Sequence, residues 1–536
     1  MGKGDDGLDA VLSELGHFGR YQLMIFSLIL IPILFSAVYN SQYIFAVADV
    51  NYRCMVPECE TWPTQYPMGE WEKWAFPEKR GRCERLKPIG SGCSESTFDP
   101  VKTVPCDHWV YENNNSIVAE FDLGCEEWKR TTVGTIHSAG IFMALPLTAY
   151  VSDTFGRRVA FIATGMSPAI VGIIRSFSPN YIFYICFELL DAVVGAGVYT
   201  TGFVLALEMV GIKKRVLCGN IISSTFALGQ ALVAVIAWAV PYWRNLTRVL
   251  YAPSLLFFLY YFVIEESVRW LLSKGNKKEA ARIIFKAAAI NNRKLSPESI
   301  KQLTEDSPED TKTETAENSQ AKPKSIMRQV FKSKVLMCRL CVCAFWWVTV
   351  TFIYYGLSIN SVSLAGNSYV NYILTSLIEI PGYVMSVLTL DRFGRKRSIM
   401  TAYFVCGISL VSLPFIPPSM IWLQTSLNLF GKLCISMVFS SIYVYTGELY
   451  PTGLRHRMMA ACSMAGRIGQ MVAPQTPLLM TYMASLPYLL FGVMSACSGF
   501  LMILTPETLS VNLPDTIQQA ESIAVKEKKV TTLTVN

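Results

Sequence analysis

Ionisable residues inside long apolar runs of this chain include Glu188, Asp191, Glu379, Lys432 and Arg467. A charge carried into hydrocarbon is costly unless it faces a polar interior, so each is a functional-site candidate. Glu188 and Asp191 are three residues apart and share one helical face. Glu379 sits beside the proline break at Pro381, Arg467 lies in a small, apolar run, and Gln470 follows it. Trp347 and Tyr354, seven apart, face one direction from one helix. Tyr355, Tyr383, Tyr199 and Phe226 add aromatic surface, which serves as a wall around a ligand or as ordinary packing between helices. A carboxylate with aromatic faces suits an ammonium group, and a guanidinium suits a carboxylate. The chemistry is reversible recognition of small ions. No full phosphate loop, zinc-ligand spacing or Ser-His-Asp arrangement is found, so neither an enzyme nor a metal or cofactor site is expected.

The elements that must position these residues span a membrane. With 52% hydrophobic and 16% charged residues, the 536-residue chain is too apolar for an ordinary soluble enzyme. Twelve runs long enough to cross hydrocarbon begin near Tyr21, Thr132, Val159, Tyr181, Leu217, Thr247, Leu336, Tyr369, Ser398, Met420, Met458 and Leu486. The net charge of +7 resides in short loops and flanks, which sets orientation and does not suggest a nucleic-acid partner. Basic clusters at Arg157-Arg158, Lys213-Lys214-Arg215, Arg395-Lys396-Arg397 and Arg455-His456-Arg457 all fall on one side of twelve spans, which predicts a cytosolic side with both termini there.

Two of those clusters are copies. Ser152-Asp153-Thr154-Phe155-Gly156-Arg157-Arg158 and Asp391-Arg392-Phe393-Gly394-Arg395-Lys396-Arg397 place Asp153 and Asp391 238 positions apart, so the chain is built from two similar halves. Between them lie Ala206-Leu207-Glu208-Met209-Val210 and Glu265-Glu266-Ser267-Val268-Arg269-Trp270, with Glu448-Leu449-Tyr450-Pro451-Thr452 and Pro506-Glu507-Thr508 in the second half. After the first span comes a long polar loop with Cys54, Cys59, Cys83, Cys93, Cys106 and Cys125, read as three disulfides of unassigned pairing. Asn114-Asn115-Ser116 in that loop is an accessible glycosylation acceptor, and Trp62, Trp71, Trp74 and Trp109 suggest a compact cap. From Lys274 to about Gln302 the pattern predicts an amphipathic helix, and 305–324 reads as a disordered linker.

These motifs together resemble the organic cation, anion and zwitterion transporters of the major facilitator superfamily, particularly the insect organic cation transporters. The resemblance implies an all-α membrane protein of two six-helix bundles around a central cavity. The division is a 1–20 cytosolic segment, a 21–264 bundle that includes the 49–130 loop, a 265–335 cytosolic segment and linker, a 336–505 bundle, and a 506–536 tail. It also implies a plasma-membrane carrier of small organic cations or zwitterions, with an organic anion carrier or a non-transporting receptor as alternatives. Partners would be the substrate and the bilayer, with a coupling ion and self-association left open. By the same resemblance Tyr199, Phe226, Trp347, Tyr354, Tyr355, Glu379, Tyr383, Arg467 and Gln470 line the substrate site, and Glu188, Asp191 and Lys432 charge the cavity. Asp153, Arg157, Arg158, Glu208, Glu266, Arg269, Asp391, Arg395, Glu448 and Arg455 would gate the inner side. Glu379, Tyr383 and Arg467 look most like the carnitine-type branch, although Glu379 and Arg467 pairing with each other is a second reading. Three positions depart from the family: Asp191 where an Arg is usual, Ala149 for Gly, and Glu265 for Pro.

Overall fold

The computed structural model describes residues 11–16, 18–61, 64–66, 69–77, 82–90, 92–211, 214–297, 333–417, 419–451, 454–509, 514 and 517–521. The linker 305–324, His17, Trp62 and most of the tail lie outside the described residues. Among these, the long helices are α1 (Arg20–Ala46), α2 (Glu127–Phe155), α3 (Arg157–Arg175), α4 (Tyr181–Glu208), α5 (Arg215–Ala239) and α6 (Trp243–Val263) in the first half. The second half has α7 (Lys334–Ser363), α8 (Ser368–Phe393), α9 (Arg395–Phe415), α10 (Ile421–Leu449), α11 (Arg455–Val472) and α12 (Leu486–Leu504). By length and composition, 11 helices among the described residues are apolar enough to cross a membrane. The remaining one, α11, is interrupted by Arg455, Arg457 and Arg467, and helical turns continue it to Leu479.

The halves meet along two related seams, α5 against α8 and α2 against α11, while α1 packs on α5 and α7 on α11 within each half. Close approach at the α7–α11 seam needs small residues. A Cβ on Gly466 would lie 3.2 Å from the Trp347 carbonyl oxygen, and Gly469 faces the backbone of Val348.

The cysteine-rich loop is a small module with its own core. Strand β1 (Tyr52–Cys54) pairs antiparallel with β4 (Trp109–Tyr111), and β2 (Glu84–Pro88) with β3 (Phe98–Pro105). Disulfides join Cys54 to Cys106, Cys59 to Cys93 and Cys83 to Cys125, a pairing that spacing alone could not select. Val56, Ala75, Phe76, Leu86 and Phe98 fill the core, with Trp71, Trp74 and Trp109 packed on it. The module is tied to the first half: Ser116 Oγ donates to the Ala46 carbonyl at 3.1 Å, the Trp243 amide to Asn115 O at 2.9 Å, and Arg244 pairs with Glu120. Asn114 is exposed on it.

At the opposite end, short helix Val268–Ser273 leads into helix Lys277–Asn291, which buries Ala280, Ile283, Ile284 and Ala287 as their spacing predicts. The helix ends well before Gln302, because Asn292 adopts a left-handed conformation (φ +52°) that closes it. Asn291 reaches back to α1, accepting from the Tyr21 amide at 2.9 Å. Glu265 holds the helix through Arg282 and Lys286, each at 2.8 Å. Burial alone would raise its carboxyl, but Lys286 and Arg282 outweigh that and hold it below the usual range.

Candidate functional site

The two copied turns are built alike. Gly156 (φ +106°) and Gly394 (φ +97°) make the reversals, a backbone conformation that suits glycine. Carboxylates then cap the helices that follow. Glu266 accepts from the amides of Arg157 and Arg158 at 2.9 and 3.1 Å, and Glu507 from those of Arg395 and Lys396 at 2.9 and 3.1 Å. Anions at helix N-termini are stabilised by the unpaired amides and the helix dipole. Burial raises the Glu266 carboxyl against the hydrogen bonds from Ser267, Arg158 and Arg157. Arg157 pairs with Asp153 (2.6 Å) and Glu208 (3.8 Å), and Arg395 with Asp391 (3.1 Å) and Glu448 (3.4 Å). Glu208 accepts from Ser267 Oγ, and Glu448 from Thr508 Oγ1 at 2.5 Å. Arg158 stacks on Tyr261, 4.1 Å from its ring centroid, Arg269 lies in helix Val268–Ser273, and Arg455 rests its stem on Gly447. Each of the pairs named here joins residues of one half.

Deep in the second half, α7, α8 and α10 bring together Tyr354, Tyr383, Glu379 and Lys432. Glu379 and Lys432 are both 0% exposed and pair at 3.0 Å. Lys432 also donates to the Tyr354 carbonyl (2.9 Å) and Ser358 Oγ (2.8 Å), and lies 3.5 Å from the Tyr354 ring centroid. The hydroxyls of Tyr354 and Tyr383 donate to Glu379 Oε2 at 2.6 and 3.1 Å. The cation of Glu379 is therefore Lys432. Arg467 donates to Gln470 Oε1 at 2.7 Å and interacts with Tyr355 and Tyr443. Among the described residues no carboxylate lies within ion-pair distance of it.

Aromatic rings from both halves converge beside Arg467. Tyr199 lies near Tyr355, Tyr383 and Tyr443 across the seam, and Phe226 packs edge-on against Tyr199 at 5.4 Å. Tyr199, Phe226, Tyr355 and Arg467 are half-buried and Tyr443 is 40% exposed, so accessible space remains beside them. Trp347 is buried instead, its Nε1 donating to Thr446 Oγ1 at 3.1 Å and its ring edge-on to Tyr443.

In the first half Glu188 and Asp191 are each 1% exposed and do not open onto that space. Arg175, at the end of α3, pairs with both, at 3.0 Å to Asp191. His137 Nδ1 lies 2.8 Å from Glu188 Oε1, and Tyr251 donates to Asp191 Oδ2 at 2.6 Å. Neither Arg175 nor His137 stands out in the sequence: the first reads as a flanking charge at a span's end, and the second is a lone histidine.

The sequence profile of the Major Facilitator Superfamily matches residues 120–474. The chain belongs to the major facilitator superfamily. Within it, the chain is 32% identical over 533 residues to "Organic cation transporter protein" of Drosophila melanogaster, covering 97% of this chain and 95% of that protein. It is 29% identical over 539 residues to "Solute carrier family 22 member 3" of Rattus norvegicus, covering 96% of each. The inward-open xylose transporter XylE of E. coli superposes with a TM-score of 0.59 at 15% identity, covering 93% of this chain and 100% of that one, and shares the fold. This superfamily member is a multi-pass membrane transporter of small molecules that works by alternating access between its halves; it is not an enzyme.

Proposed function

We propose that this transporter carries small organic zwitterions or cations across the plasma membrane, with a substrate carboxylate on Arg467 and an ammonium against Tyr199, Phe226, Tyr355 and Tyr443. One observation carries the reading. Arg467 lacks a carboxylate partner among the described residues, whereas the charge of Glu379 is met by Lys432. A guanidinium half-open to the cavity favours a substrate with an anionic group, and aromatic faces suit its cationic end. The neutralised Glu379 also favours a second reading, an organic anion carrier that uses Arg467.

The disulfide module suits the oxidising extracellular side and the basic turns suit the cytosol, which supports the reading that both termini are cytosolic. Exposed Asn114 is then the glycosylation site. Contacts between the halves cluster at the cysteine-loop end, where Thr131 donates to Gln475 at 3.0 Å and Gln475 to Thr135 at 2.7 Å. With that end outside, this conformation faces inward.

Uptake of a tetraalkylammonium, a benzoate-sized carboxylate and a betaine, by wild type, Arg467→Ala and Glu379→Gln at matched surface levels, tests the substrate class. Betaine uptake should fall at least tenfold in Arg467→Ala. Carriage of the tetraalkylammonium alone, indifferent to Arg467, would refute the zwitterion site, and Arg467-dependent carriage of the carboxylate alone would establish the second reading.

A further inference from the structure

The buried cluster of the first half does not balance its charges. Arg175 (0% exposed), Glu188 and Asp191 (each 1%) bring one fixed positive and two negative charges together away from water. The second half offers the contrast, since Glu379 and Lys432 cancel one to one at the same depth of burial. An uncompensated buried charge is strongly unfavourable, and a group in that position takes up or sheds a proton. One proton completes the first cluster, and the groups to hold it are in place. His137 Nδ1 faces Glu188 Oε1 at 2.8 Å, while His137 Nε2 and Asp191 Oδ1 are buried without a hydrogen-bond partner.

We propose that His137, Glu188 and Asp191 form a proton-binding site, filled when the halves close at the cysteine-loop end, so that closure takes up one proton. The groups facing it come from every packed element. Gln42 on α1 accepts from Arg175 (2.9 Å), and the Tyr43 ring lies 4.9 Å from the His137 ring. On α4, Tyr184 lies against Arg175, 5.6 Å from the guanidinium to its ring centroid. On α6, Tyr251 accepts from Arg175 at 3.1 Å and donates to Asp191; the Tyr39 ring of α1 lies tilted against it at 5.2 Å. From the second half, Tyr372 and Tyr355 lie near Tyr43. Among these charged and titratable groups, Arg175 is the sole fixed cation.

Closure and the proton are linked through α1 and α2. Tyr43, which covers His137, lines a cavity of ≈ 380 Å³ at the cysteine-loop end, shared with Ile359, Tyr369 and Pro474 of the other half. Gly134, one turn from His137, abuts Pro474, where a Cβ would lie 2.6 Å from the proline Cβ. Parting of the halves there would widen the cavity that Tyr43 already lines, and the added hydration would stabilise the unprotonated, negative cluster. Acid therefore favours the closed state.

The test reads closure directly in detergent, where orientation and substrate play no part. In a background with exposed Cys186, Cys338, Cys341 and Cys497 changed to Ser, Thr131→Cys reports parting of the halves, because Thr131 is 4% exposed against Gln475. Its labelling rate is divided by that of exposed Ser419→Cys, which lies outside that cavity, to remove the pH dependence of the thiol. From pH 7.5 to 5.5 the normalised rate should fall roughly tenfold; one coupled proton allows up to tenfold per pH unit. Asp191→Asn and Glu188→Gln each balance the cluster without a proton, so either should flatten the profile. A flat wild-type profile, or a wild-type slope retained in a folded variant, would overturn the proposal.

Discussion

Lys432 and Arg467 are both cations in apolar helices, yet their surroundings give them opposite jobs. Lys432 is 0% exposed and spends its charge on Glu379, the Tyr354 carbonyl and Ser358. Arg467 is half-buried beside tyrosines, with Gln470 as its hydrogen-bond acceptor. Lys432→Ala should therefore act on stability, leaving Glu379 sealed without a cation at about 3–5 kcal/mol. The thermal midpoint of the purified protein should drop sharply, and the double variant Glu379→Gln, Lys432→Met should recover much of the loss. Arg467→Ala should leave the midpoint nearly unchanged. That each of these residues matters is legible from a charge set in an apolar run. Which carboxylate meets which cation is not, because Glu379 on α8 and Lys432 on α10 are joined by helix rotation and packing. For the same reason the sequence does not display that Arg175 of α3 is the cation that meets Asp191.

Between residue and fold, the copied turns show how one motif draws in distant partners. The sequence displays both copies and the need for glycine at each reversal. It does not display that Glu266 and Glu507 sit where a glycine Cβ would point, since 108 or more positions separate Glu266 from the amides it caps. At Gly394 a Cβ would come within 2.7 Å of the Glu507 carboxylate, and at Gly156 it would collide with that of Glu266. Gly275 also has a positive φ (+75°), but nothing stands within 4 Å of its Cβ position. Alanine at Gly275 should cost about 1 kcal/mol of conformational strain. At Gly156 or Gly394 it adds the displaced cap, and surface expression and thermal midpoint should fall distinctly further. Equal losses at all three positions would mean that the carboxylate caps contribute little.

For the whole molecule, the intra-half turn networks and the cysteine module, which is bonded to the first half, make each half a unit that can rock against the other. What holds the cysteine-loop end shut is mostly aromatic. Tyr369 of α8 stacks on Phe45 of α1 (5.7 Å, 9°) and on Trp238 of α5 (6.1 Å, 2°), and Tyr372 meets Phe45 edge-on at 5.1 Å. The second half thus places one ring against two elements of the first. Aromatic pairs contribute about 0.5–1.5 kcal/mol each beyond area burial. Losing both Tyr369 stacks should shift the closed-to-open ratio by about 1–3 kcal/mol, roughly 5- to 150-fold. Tyr369→Ala is then expected to raise the labelling rate of Thr131→Cys by a factor in that range at fixed pH. The control is Phe183→Ala, which removes a comparable stack with Phe187 (4.4 Å) inside α4, away from the seam, and should leave the rate unchanged. Equal effects from the two variants would mean that general loosening, and not the seam, governs access. An effect confined to Tyr369→Ala assigns closure of this end to the stack. Such closure would act alongside the proton: alanine at 369 lowers the closed population at every pH, while the slope set by Glu188, Asp191 and His137 stays.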